Sequence, residues 1–399
     1  MPQTFETKFK EMEIGMIPED WEETKVGIKC KIKNGKTNSQ DAIAGGEYPL
    51  FDRSSVIKRS NKFLFNCEAI IIPGEGKEFV PRYFNGKFDL HQRAYAIWTE
   101  NKEINIKFIY YWILQNKSYF SNIAVGSTVK SLRMNHLEEF PLAIPKDPKE
   151  QQEISHSLYI LDEKIKILQE QNKTLEEIGK TIFRKWYILE EKDGWELGTL
   201  GDYISLDKGL SYKGSGLTNI DNGIPMVNLG TFNLISGFKM TGLKYYCGEY
   251  KERNLVFPGD LIIANTDMTQ DRSILGSPAI IPSEINSKKI IFTHHTYAVR
   301  HKKNKLSNYF LYFLMQTSGY RERAIGFATG TTVLALPKEA ILEMEFIFPP
   351  EELMEKLNDF LKKLFNKISI NNQETQTLSK LRDSLLPKLI SGKIRVPLS

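Results

Sequence analysis

The sequence predicts an α+β fold in which two similar mixed α/β globular domains are joined by two long helices that form an antiparallel intramolecular coiled coil, a pseudo-twofold, cyclic arrangement. Three observations lead there. Trp21-Glu22 returns 174 residues later as Trp195-Glu196. Gly126-Ser127-Thr128-Val129 returns as Gly330-Thr331-Thr332-Val333, and Ile144-Pro145 as Phe348-Pro349, both 204 residues later. Each repeat is followed by a long heptad-patterned run. The 399 residues exceed one ordinary core, so the chain divides into a first globular domain (1–146), a first helix (147–190), a second globular domain (191–350) and a second helix with its tail (351–399). The two offsets differ by 30, so the second domain carries extra residues between its Trp-Glu and Gly-Thr landmarks. Repeats that agree at their edges and differ inside build a shared frame that meets different targets.

The strands of each domain are read from short apolar runs bounded by turn residues. In the first domain these are Ala69-Ile70-Ile71-Ile72 before Pro73-Gly74, and Arg93 to Trp98; in the second, Leu261-Ile262-Ile263-Ala264 after Pro258-Gly259-Asp260, and His295 to Val299. A helix follows in each domain, Ile106 to Leu114 and Leu306 to Leu314, and its aromatic density marks it as core rather than as a base-stacking surface. After each helix comes the Gly-Ser-Thr-Val or Gly-Thr-Thr-Val landmark. A glycine beside two hydroxyls suits a phosphate contact through Ser127, Thr128, Thr331 and Thr332, with Lys130 and Arg133 behind the first copy; a turn kept for its geometry is the equal alternative.

From about Pro148 to Trp186 the apolar positions Ile154, Leu158, Leu161, Ile165, Leu168, Leu175, Ile178 and Ile182 make a narrow helical seam. Leu353, Leu357, Phe360, Leu364, Ile368, Leu378, Leu381, Leu385 and Leu389 make the second, and Leu175, Ile178 and Ile182 map onto Leu378, Leu381 and Leu385 at an offset of 203. Both seams turn polar in mid-run, at Gln171-Asn172 and at Asn371-Asn372-Gln373-Glu374, as register-fixing positions do. A helix of roughly 38 residues, near 57 Å, is too long to stand alone, and the economical arrangement pairs the two runs antiparallel with each other; two helices each packed on its own domain, or a homodimeric coil, are the rival readings. Pro387 is expected to kink or end the second helix early, with Gly392 as its cap.

Composition excludes several classes. Hydrophobic residues at 41% and charged residues at 26% describe a folded, soluble protein without disordered tracts. No apolar run reaches a membrane span and the first residues are polar, so a cytoplasmic address is expected. Cys30, Cys67 and Cys247 have no metal-binding spacing and read as reduced packing residues. The net charge of +5 is only mildly basic, but its positive part gathers on the globular domains while Glu170, Glu176, Glu177, Glu351, Glu352 and Glu355 lie on the helices. Loops holding Lys77, Arg82, Gln92 and Arg93 in the first domain, and Lys213, Asn265, Gln270 and Arg272 in the second, carry the residue types that read base edges; any one of these charges serves equally as a solubilising surface group.

No catalytic constellation emerges. Gly35-Lys36-Thr37 and Gly179-Lys180-Thr181 lack the upstream glycine of a phosphate loop, and the adjacent His294-His295 make a poor metal chelate. Glu75-Gly76-Lys77 with Asp52 is the one fragment that a metal-dependent nuclease could use.

The order domain, helix, domain, helix, together with Ile17-Pro18-Glu19-Asp20-Trp21-Glu22, Gly194-Trp195-Glu196, Leu200-Gly201-Asp202, Pro258-Gly259-Asp260-Leu261 and Glu150-Gln151-Gln152-Glu153-Ile154 after Pro145, resembles the specificity subunit of Type I restriction-modification systems. The second arm has Pro350-Glu351-Glu352-Leu353 where the first has its glutamine pair. The resemblance implies a non-catalytic subunit whose two target-recognition domains each read one half of a bipartite double-stranded DNA site. It implies two methyltransferase subunits that bring S-adenosylmethionine and a translocating endonuclease subunit, with ATP and magnesium also in the partners and no cofactor in this chain. A nuclease acting alone and a coiled-coil adaptor that binds only protein are the rival readings.

Overall fold

Apolar residues spaced by threes and fours do build two long helices, Pro148–Phe183 and Glu351–Ile390. In the computed structural model, which describes residues 8–190, 192–234, 237–268, 272–303 and 305–397, the chain forms two compact units: residues 1–166 with 376–399, and residues 167–375. Each unit takes one globular repeat and a stretch of both helices.

The first unit is built on a six-stranded sheet in the order Lys31–Asn34, Ala94–Trp98, Phe65–Pro73, Arg82–Leu90, Tyr48–Phe51, Lys58–Ser60. Neighbours run antiparallel except Tyr48–Phe51, which lies parallel to Arg82–Leu90. Successive side chains of a strand face opposite ways, and the run Ala69–Ile72 is apolar throughout because both faces are covered. Ile70 and Ile72 pack in the core that includes Phe108 and Trp112 of the helix Ile106–Gln115, while Ala69 and Ile71 pack with Phe51, Phe65 and Phe88. Asn105 caps that helix by accepting from the Phe108 amide, which satisfies a backbone donor with no partner in its own helix.

The second unit repeats this plan over two sheets. One has the order Ile204–Lys208, Thr296–His301, Leu261–Ala264, Pro278–Ile280; the other runs Leu217–Thr218, Lys244–Tyr246, Ile224–Val227, Ile290–Phe292, Leu255–Val256. Leu261 and Ile263 face the core of the helix Asn308–Leu314, and Ile262 and Ala264 face a second core with Phe292. Ser307 caps the helix as Asn105 does in the first unit. Val227 and Phe292 pair in parallel as Phe51 and Leu90 do, and the Thr293 amide bonds the Val227 carbonyl as the His91 amide bonds Phe51. The extra residues of the second repeat therefore fall mostly between Val227 and Thr293.

The recurring landmarks are strand partners. Glu22–Lys25 pairs with Pro141–Ile144, and Glu196–Thr199 pairs with Glu345–Phe348. The edges of each repeat are alike because they close the same two-stranded ribbon.

Within each unit the two long helices run antiparallel. In the first, Arg395 beyond the end of the second helix bonds Glu150 near the start of the first, while Arg382 bonds Asp162 at 2.7 Å. In the second, Asn172 pairs with Asn372 at 2.7 Å and with Asn371 at 2.9 Å, while the rings of Trp186 and Phe360 meet at a tilt, 6.2 Å between centroids. The polar break is thus a layer of amides bonded to one another, with Asn371 fully buried.

Three expectations need correction. Pro387 does not end the second helix, which continues to Ile390, because Leu386, Leu389 and Ile390 are buried in the first unit's core and hold the last turn. Gly392, at φ +68°, then turns the chain. Ile178 and Leu381, read as seam residues, stand 42% and 45% exposed; beside Leu381 it is Arg382 that meets the other helix, through Asp162. Cys30 is buried, and burial pushes its thiol up to about 12, but Cys247 is exposed, with Sγ donating to the Gly216 carbonyl at 3.5 Å.

Candidate nucleic-acid interface

Each unit gathers three loops at one end of its sheet. In the first unit the hairpin turn His91–Ala94 closes with the Ala94 amide on the His91 carbonyl at 3.0 Å, and the Arg93 amide donates to His91 Nδ1. The strand-exit loop grips this turn through the Gly74 amide, 2.8 Å from the Arg93 carbonyl. The third loop hangs from the second: the Leu132 amide bonds the Gly74 carbonyl, and the Gly76 amide bonds the Lys130 carbonyl. Val125 and Ser131 exchange two backbone bonds across this third loop. Gly126 at φ +114° makes the bend, where a Cβ would lie 2.4 Å from the Val129 oxygen.

The second unit has the same frame. The Thr296 amide bonds Thr293, the Asn265 amide bonds His295, the Leu336 amide bonds Asn265, and Thr329 and Ala335 exchange their pair. Gly330 has φ +102° and the same close carbonyl, from Val333. Tyr95 and Tyr297 bond the carbonyls of Leu132 and Leu336 alike, at 3.1 and 2.9 Å. The glycine of each landmark answers to backbone geometry, while the hydroxyl residues beside it are exposed.

Gln92, Arg93, Ser127, Thr128 and Lys130 come together on the first platform, with Lys77 exposed next to it. Arg93 is half-exposed and paired with Glu75, which also holds Arg53, a residue the sequence pattern does not single out. Lys130 donates to the Ser121 carbonyl. Arg133 is exposed where the third loop enters the short helix Met134–Glu138. Arg82 lies deeper: it donates to the Ser54 carbonyl, and burial lowers the affinity of its guanidinium for its proton. On the second platform Thr331, Thr332 and Arg272 are exposed, Arg272 at φ +55° in a loop held by Arg321, which donates to the Arg272, Ser273 and Leu275 carbonyls. Asn265 is buried and grips the turn twice, by its backbone amide on His295 and by Nδ2 on His294 at 3.1 Å. Lys213 is exposed ahead of the turn Gly214–Gly216, three residues beyond Leu210, whose carbonyl the His294 amide bonds. Gln270 lies outside the described residues.

Beneath the first platform is a polar cluster that sequence spacing could not reveal. Asp89 accepts from the Thr37 and Ser60 hydroxyls. Asp52 accepts from Ser39, from Ser54 and from Lys58 at 2.8 Å. Burial acts to raise the Asp52 carboxyl, but Lys58 and the serine bonds outweigh it and hold it well below the usual carboxylate range. Asp52 is thus occupied inside the fold and Glu75 is committed to two arginines. Among the described residues no group of three His, Cys, Asp or Glu could hold a metal ion, and no helix is long and apolar enough to cross a membrane.

The glutamine of the first arm also finds its place. Gln151, buried, accepts from the Asn105 amide and donates to the Pro145 carbonyl, both at 2.8 Å. It braces the helix cap instead of facing outward.

Residues 18–177 and 192–380 match the family described as Type I restriction modification DNA specificity domain. The chain belongs to that family. It is 26% identical, over 98% of both chains, to the Type I restriction enzyme MjaIX specificity subunit of Methanocaldococcus jannaschii, and 22% identical to the MjaVIII specificity subunit of the same organism over 98% of this chain and 97% of that one. The crystal structure of a Type I restriction-modification S subunit from M. genitalium shares the fold, with a TM-score of 0.60 and 17% identity over 92% of this chain and 96% of that one. Members of this family supply DNA specificity rather than catalysis, and the nuclease reading of Glu75-Gly76-Lys77 finds no support.

Proposed function

We propose that this DNA specificity subunit reads a bipartite double-stranded site, one half-site per globular domain, and that the paired helices set the number of base pairs between the halves. The observation that carries this reading is the duplicated platform: one backbone frame built twice, presenting Gln92, Arg93, Ser127 and Thr128 in one copy and a different set in the other. A shared frame with unlike side chains is what two different half-sites require. The subunit works with two methyltransferase subunits and a translocating endonuclease subunit in the cytoplasm, and S-adenosylmethionine, ATP and magnesium reside in those partners.

The test is to combine the chain with its methyltransferase subunits, expose DNA to them, and map the methylated bases. Two short sequences at a constant spacing are expected. Exchange of residues 8–146 for the corresponding domain of a relative should replace one half-site and leave the other; replacement of both, or of neither, would refute the assignment. A protein-only adaptor would show no salt-sensitive DNA binding at all.

A further inference from the structure

Frame equivalence places two adjacent histidines on the second platform where the first has Gln92 and Arg93. Tyr95-Ala96-Ile97 and Tyr297-Ala298-Val299 follow the two turns at one offset, so His294 and His295 fill the two central turn positions. The rings lie close and tilted, 3.8 Å between centroids and 40° between planes. Both are part-exposed. His294 approaches the Leu210 carbonyl through Nδ1 at 3.4 Å, and His295 Nδ1 is 2.9 Å from the Thr266 hydroxyl. Neither Nε2 has a hydrogen-bond partner among the described residues.

This arrangement has a chemical consequence. A neutral His294 that donates through Nδ1 carries a lone pair on Nε2, which repels a phosphate oxygen or a guanine acceptor; adding a proton converts that edge to a charged donor. At His295 the surroundings resist the proton while no anion is near. Burial lowers the proton affinity of His295, and His294, Lys208 and Lys244 add to the effect. On the neighbouring strand Asp267 turns Oδ2 to the Ile274 and Leu275 amides. A docked duplex reverses the balance by bringing negative charge against the turn.

We propose that the His294–His295 turn is a proton-linked DNA contact of the second domain: the pair takes up a proton as the duplex docks, and the second half-site is held more tightly at low pH. The proposal rests on the DNA-recognition reading above. The sign follows from linkage. A histidine whose proton affinity is higher in the complex than in the free protein strengthens binding as pH falls through the complex value, and the gain levels off below the free value.

The experiment uses the full chain and a duplex bearing its mapped site, with affinity measured at constant salt from pH 5.5 to 8.5. Wild-type binding should be about fivefold tighter at pH 6 than at pH 8. A His294→Gln, His295→Gln variant should keep salt-sensitive binding and lose that dependence. An Arg93→Gln variant should weaken binding equally across the range and keep it. Histidine Cε1–H resonances of selectively labelled wild-type protein, titrated with and without duplex, give a readout independent of any variant's folding, and a titration shifted upward in the complex is expected. Binding that ignores pH, a dependence that survives loss of both histidines, or unshifted histidine titrations would each overturn the proposal while leaving recognition intact. A wild-type chain with no salt-sensitive DNA binding would overturn recognition and this proposal together.

Discussion

At the scale of single residues, the buried carboxylates of the first platform show how charge is held beneath its exposed loops. Asp52 holds Ser54 through a local turn two residues on, Lys58 across the hairpin of Tyr48–Phe51 with Lys58–Ser60, and Ser39 from further upstream. The non-local part of the cluster comes from the parallel pairing of Tyr48–Phe51 with Arg82–Leu90, which sets Asp89, bonded to Thr37 and Ser60, opposite Leu50. In sequence Asp52 therefore reads only as a possible metal ligand upstream of Glu75-Gly76-Lys77, while the exposed basic residues stand out as the candidate site. Asp52→Asn leaves Lys58 without its anion and weakens the serine bonds, so a loss of about 2 kcal/mol is expected in chemical denaturation. The carboxyl is depressed in the folded state. Its contribution is therefore complete above the unfolded value near pH 4 and is lost as pH falls further. The wild type should lose stability steeply below about pH 4 and the asparagine variant less so. Asn265→Ala removes the side-chain grip on the His294 carbonyl. It should cost only about 1 kcal/mol of stability, since one neutral bond is lost, yet relax recognition of one half-site in methylation mapping.

At the scale of elements, the long helices are the most legible part of the chain, because a narrow apolar seam sustained over many turns fits a paired helix and neither a strand nor a loop. Their polar break is legible too, and Asn172, Asn371 and Asn372 do bond across it. The error at Pro387 has a physical cause: a local rule about a missing amide is overruled by three buried side chains around the last turn. The tip turns are half-legible, since Tyr95 and Tyr297 align as strand residues while the two positions before them share no chemistry that would align them. Gly179 is legible only as a failed phosphate loop. It sits in the first helix where a Cβ would fall 2.4 Å from the Phe313 ring, and that ring is buried. Helix propensity alone would make Gly179→Ala stabilising by about 1 kcal/mol, but overpacking a fixed aromatic costs about 1–3 kcal/mol. The clash wins, and a lower melting temperature is expected. Asn371→Leu has the opposite sign. Asn371 is fully buried with an unpartnered Oδ1, so an apolar replacement should raise the melting temperature of the second unit by about 2–4 °C per kcal/mol gained. It should also weaken the register that the amide layer specifies.

At the scale of the molecule, the paired helices carry the prediction that separates a spacer from a mere scaffold. A 36-residue helix such as Pro148–Phe183 is about 54 Å long at about 1.5 Å per residue. Removing seven residues from each helix keeps the apolar seam in phase, because the repeat is itself seven residues long. The deletions belong on either side of the amide layer, so that Asn172 still meets Asn371 and Asn372. Each helix then shortens by about 10.5 Å, the rise of about three base pairs at 3.4 Å per step. If helix length sets the distance between half-sites, the doubly shortened subunit, mapped with its methyltransferase partners, should methylate the same two half-sites separated by about three fewer base pairs. The half-sites should be unchanged because neither platform is touched. Binding should keep its steep fall with added salt if, as proposed, the phosphate contacts belong to the globular domains and not to the excised turns. An original spacing retained by a folded, DNA-binding variant would show that the duplex or the partner subunits, and not the helices of this chain, set the separation.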